Sequence, residues 1–132
     1  MQPSILWLPY LANIFILVPV CWQMMAGRGV EAVFDGRVDE SEGLRIMTGS
    51  LWTAILVASV VGLFAPRLMM PLLAVQVFYK SLWLIRFIRP RMAQVGWAGV
   101  PHGITICFVV IALGWPVFIL IEGVTRGWPS FG

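Results

Sequence analysis

Lys80 is the residue in this sequence whose type and position most directly suggest chemistry. It sits inside the apolar run Leu72-Leu73-Ala74-Val75-Gln76-Val77-Phe78-Tyr79-Lys80-Ser81-Leu82-Trp83-Leu84-Ile85. An ammonium in hydrocarbon costs at least about 2.5–3.5 kcal/mol, and a charge kept there marks a functional site by default. The chemistry on offer is anion binding, proton transfer or pairing with an interior acceptor. The bland alternative is snorkelling, in which a stem of about 6 Å carries the charge toward the headgroups. Spacing favours the interior. Gln76, Lys80, Trp83 and Phe87 fall at i, i+4, i+7 and i+11, on one helix face, with Tyr79 beside them.

Counting residues from span ends gives candidate partners. Gln76 and Asn13 lie at matching depths in the third and first spans, so their amides are expected to bond each other. Trp52 and Thr53 come level with Lys80, the first as a cation–π face and the second as a hydroxyl. Asn13, Thr53, Gln76, Tyr79 and Lys80 therefore form the expected intramembrane polar cluster. No carboxylate falls at that depth, which weakens a proton relay. Glu122 comes level with Arg67 at the opposite membrane face, where an interfacial ion pair is expected.

The remaining chemistry is sparse. His102 is the only histidine and is read as a solvated interfacial residue; ligation of a pigment or a single metal is the sharper alternative. Cys21 and Cys107 lie in apolar runs without CxxC or Cys/His spacing, so neither a metal site nor a cofactor is expected. The acids cluster in residues 25–44 or end a helix, and no Ser/His/Asp, Cys/His or paired-carboxylate arrangement forms. No catalytic residue is assigned, and the reading is non-enzymatic.

These residues must be carried by membrane helices. The chain has 132 residues, of which 60% are apolar and 11% charged, with a mean hydropathy of +0.90. That leaves too little polar surface to face water. Apolar runs of about 20 residues fit α-helical spans, and nothing alternates as a β-barrel strand would. The expected fold is all-α: one transmembrane domain, residues 1–132, a four-helix bundle with short connections. Its spans are placed at about 4–24, 45–65, 67–88 and 103–121, the first of them retained rather than cleaved. Residues 25–44 form a polar loop with room for a short interfacial helix near Val30–Phe34, and residues 89–102 form a second polar connection. Ala65-Pro66-Arg67 forces a tight turn between the second and third spans.

Arginine placement sets orientation. Arg28, Arg37, Arg45, Arg86, Arg89 and Arg91 flank the two polar loops, whereas Arg67 and Arg126 lie at the opposite ends. Loops 25–44 and 89–102 are expected to be cytoplasmic and both termini outside, in a bacterial inner membrane. The net charge of +3 is then orientation charge, and no nucleic-acid partner is expected.

Ser50, Ala54, Ala58 and Gly62 recur at i+4 in span 2, a small-residue ridge suited to close helix packing inside the bundle or between protomers. The expected partners are the lipid bilayer and copies of the chain or other membrane subunits. The leading function is a non-enzymatic helical subunit of a homo-oligomer or larger complex. The alternative is a small oligomeric transporter or channel using the cluster around Lys80. The plan of four helices, with the Arg-x-x-x-Gly opening Arg45–Gly49, resembles small bacterial membrane families including the DoxX-like proteins; the resemblance implies a fold and no activity.

Overall fold

The computed structural model describes residues 4–128. Expectations for the terminal residues themselves, 1–3 and 129–132, lie outside that range. The described chain is helical, and four of its helices are long and apolar enough to cross a membrane. This is a multi-pass membrane protein with an all-α bundle. Each helix satisfies its own backbone, as hydrocarbon requires.

The first span is α1 (Trp7–Met25), followed by the short loop helix α2 (Gly29–Ala32). The second span is α3 (Glu42–Phe64). Ser41 caps it by accepting a hydrogen bond from the Leu44 amide, and Glu42 places negative charge in its first turn. Pro66 prevents continuation, and the chain reverses into α4 (Met70–Trp83), with Pro71 in the first turn.

Helical order does not stop at Ile88. A π-helical segment (Leu84–Ile88) leads into α5 (Arg89–Val95), so the third span and its extension run from Met70 to Val95. Pro90 lacks an N–H and crowds the preceding turn. The wider π turn absorbs that defect, with the Arg89 amide donating to the Leu84 carbonyl. Gly96, at φ +74°, ends the helix where other residues would be strained. The fourth span is α6 (His102–Arg126).

The spans pack as two pairs. α1 lies along α3, and α4 lies along α6; the pairs meet mainly through side chains. Two core clusters fill the space between them. One, toward the end carrying the polar loops, includes Leu17, Cys21, Met24, Trp52, Ile104 and Phe108. The other, toward the hairpin and the chain termini, includes Leu6, Tyr10, Met70, Leu73, Ile111 and Trp115. Phe15, Phe64, Phe78 and Val124 point outward from the bundle.

The small-residue ridge is placed differently from the expectation of internal packing. α3 buries Gly49, Trp52, Ile55, Ser59 and Gly62. Ser50 and Ala54 are exposed, Ala58 is half-buried, and only Gly62 reaches the interior. A four-residue step advances about 40° beyond a full turn, so an i+4 series drifts from the lipid face inward. The close approach of α1 to α3 instead uses Gly49 and Gly62. A β-carbon at Gly62 would lie 2.8 Å from the Tyr10 ring, and one at Gly49 would lie 3.0 Å from the Met25 sulfur.

Loop 25–41 is tied down rather than free. Arg45 donates to the Met24 carbonyl and to Glu40. Asp35 accepts from the His102 backbone N–H at 2.9 Å and so serves α6 as a cap supplied from the loop.

Candidate functional site

The Lys80 side chain is carried inward by α4, with 3% of its surface exposed. It lies six residues, or about 9 Å of helix rise, from Arg86 at the arginine-rich end. The side chain therefore does not snorkel; its charge sits among aromatic rings. The ammonium lies 4.5 Å from the Phe108 ring centroid and 5.4 Å from that of Tyr79. Phe108 is itself held edge-on by Trp52, Tyr79 and Trp83. Phe34 of the loop closes this aromatic group against Trp52 and Trp83.

Aromatic faces attract the cation but accept no proton from it. Among the described residues, no carboxylate lies within ion-pair distance of Lys80; the two ion pairs formed are Arg45–Glu40 and Arg126–Glu122. A buried charge of this kind is ordinarily paired or bound to a ligand.

Beside the ammonium is a cavity of about 400 Å³, within the range of small-molecule sites. Trp52 of the second span and Lys80 of the third contribute to its lining. Ile16, Pro19, Val20 and Gln23 form the α1 wall, and Gly103, Ile104 and Cys107 form the α6 wall. Pro19 of α1, Ala32 of α2 and Gly103 at the start of α6 are exposed along its edge, so it opens between spans 1 and 4 from mid-helix up to the loop. Gln23 adds a buried amide oxygen that receives no hydrogen bond.

The rest of the expected cluster divides. Asn13 is buried, but its amide donates to Ser59 at 3.2 Å, and Ser59 donates to the Ile55 carbonyl. The Asn13–Gln76 bond is therefore not formed. The closer partner lies on α3, against which α1 packs directly. Gln76 is fully buried with neither amide atom hydrogen-bonded. Thr53 donates to the Gly49 carbonyl one turn back and does not serve Lys80, because a helical threonine reaches its own backbone first. Tyr79 is half-buried, and its hydroxyl makes no hydrogen bond.

The expected Arg67–Glu122 pair is also replaced. Arg67 donates to the Arg126 and Gly127 carbonyls, which the end of α6 leaves without helical donors. Glu122 is buried and pairs with Arg126 at 3.9 Å. His102 stacks on Trp97 with centroids 4.4 Å apart and bonds the Trp97 carbonyl.

Phe108 is the site residue that depth counting did not single out. Its signal was present, since it is the sole aromatic residue between Gly103 and Trp115. Counted from the start of its own span, it falls within about one turn of the Lys80 level. No protein-family model matches this chain, and no curated protein or solved structure matches it either.

Proposed function

We propose that this protein is a small membrane transporter that binds an anion at Lys80. One observation carries the reading: a buried ammonium, without a carboxylate partner among the described residues, lines a cavity between two spans. A structural lysine would be expected to have its own acceptor. A lysine that must exchange a ligand has reason to lack a permanent one. Four helices enclose little space between them, so a complete pathway calls for two or more copies. In this reading the arginine-rich end is cytoplasmic, both termini lie outside, and the membrane is a bacterial inner membrane. The role is non-enzymatic.

A second reading rests on a different observation. Ser50 and Ala54 face outward, giving α3 a small-residue strip that a neighbouring helix can approach closely. That favours a helical subunit of a homo-oligomer or of a larger membrane complex. The two readings are compatible if the strip joins copies of the chain.

Flux of inorganic phosphate and ethyl phosphate into proteoliposomes tests the first reading. Wild-type protein is expected to pass at least one of these anions and Lys80→Met is not; equal flux through both proteins would overturn the mechanism. Mass in mild detergent tests the second. A multiple of 14.7 kDa supports a homo-oligomer, whereas a fixed ratio with larger chains supports an accessory subunit.

A further inference from the structure

We infer that the ligand at Lys80 is a single-chain anionic amphiphile, drawn sideways from the leaflet at the arginine-rich end through the gap between spans 1 and 4. This rests on Lys80 being an anion site, as proposed above, and adds the class of anion and its route.

The shape of the opening points to lipid as the source. Pro19, exposed at the edge of the cavity, lies six residues from Met25 at the end of α1. That is about 9 Å of helix rise, level with hydrocarbon rather than water. The walls there are Ile16, Val20 and Cys107. A small hydrated anion loses its water against such walls and so should bind there more weakly than an amphiphile does. An amphiphile keeps its chain in lipid while its head reaches the ammonium. The cavity volume of about 400 Å³ suits one chain and a compact head rather than a two-chain lipid.

Charge and hydrogen bonding are also complementary. Lys80 supplies a cation that has no carboxylate within ion-pair distance among the described residues. Gln23 supplies an acceptor that lacks a donor. A phosphate monoester offers anionic oxygens to the first and, when singly ionised, an O–H to the second. Lys80 and the Phe108 ring beside its ammonium both line the cavity.

The test uses the full chain in nanodiscs of zwitterionic lipid. The probe is dodecyl phosphate carrying a diazirine on its chain, with photo-adducts mapped by mass spectrometry. Adducts are expected on Ile16, Val20 and Cys107, well above the level on the outward residues Phe64 and Phe78. Excess dodecyl phosphate should remove them and dodecanol should not. Lys80→Met should reduce them on the order of a hundredfold, as loss of one partner of a buried charge pair does. Gly103→Leu provides a variant that keeps the lysine. A β-carbon at Gly103 meets nothing within 4 Å, so the substitution starts into open space at the edge of the cavity. Adduct yield should fall in that variant too.

Equal labelling of groove and outward faces would overturn the inference. Removal of the adducts by neutral dodecanol as effectively as by dodecyl phosphate would overturn both the inference and Lys80 as an anion site. Competition by ethyl phosphate as effective as by dodecyl phosphate would overturn the amphiphile alone, leaving the anion site standing.

Discussion

The seam between α1 and α3 and the gap between α1 and α6 use the same first helix in opposite ways. Along α3, α1 is closed at three levels. Tyr10 covers Gly62 and donates to the Pro66 carbonyl, Asn13 bonds Ser59, and Met24 and Met25 cover Gly49. Every polar side chain named there has a partner. Along α6, α1 leaves a cavity whose lining includes a cation without a carboxylate partner among the described residues and an amide oxygen without a hydrogen bond. Both seams contain buried polar groups, so polarity alone does not distinguish structure from function. What distinguishes them is satisfaction. A hydrogen-bonded polar pair fixes one helix arrangement, whereas unpaired groups beside empty volume are held for something else.

Substitutions can break this comparison. The largest effect is expected from Gly62→Leu. Even a β-carbon there would lie 2.8 Å from the Tyr10 ring, and a full side chain should separate α1 from α3. A loss of about 3 kcal/mol or more, at the upper end of overpacking costs, is expected in unfolding measured in bicelles; a loss below about 1 kcal/mol would mean the seam is not tightly closed.

Gln76→Leu should act in the other direction. Both amide atoms of Gln76 are buried without hydrogen bonds, so an apolar side chain of similar size relieves a desolvation cost of about 1–3 kcal/mol. The same unfolding measurement should show stability unchanged or raised. Clear destabilisation would show that Gln76 is satisfied in the membrane, and the contrast with Asn13 would vanish.

Ser59→Ala leaves the Asn13 amide without its acceptor. Interhelical hydrogen bonds of this kind average about 0.6 kcal/mol in membranes, so a loss of about 1 kcal/mol is expected, with Asn13→Leu in the same background restoring it. Asp35→Ala removes the cap on α6 and should cost about 0.5–1 kcal/mol. Its readout is faster amide exchange in the first turn after His102.

The helices were legible because membrane spans advertise themselves by length and apolarity. Their boundaries were less so. Arg89-Pro90 reads as a connection, yet a π turn carries the helix through it to Val95. The i+4 series in span 2 reads as one packing face, although helical drift turns Ser50 and Ala54 outward and leaves Gly49 and Gly62 to make the contacts. Lys80 was legible from depth alone, but its surroundings were not. Phe108 lies on the helix that packs beside α4, and the choice of neighbours around a bundle is not written in any one span's period. The cavity is harder still, since it reflects two helices not touching. Glu122 and Arg67 read as a pair from depth counting, but Arg67 bonds the carbonyls that the end of α6 leaves free.

The central claim is that Lys80 is kept for a ligand and contributes nothing to holding the fold. Unfolding of Lys80→Met against wild type, in zwitterionic bicelles without added anion, tests it most directly. A methionine fills similar volume without a charge to bury, so stability should be unchanged or raised, by up to about 3 kcal/mol. A loss of about 3 kcal/mol or more, the cost of breaking a buried ion pair, would show that Lys80 is structurally paired and contradict the claim.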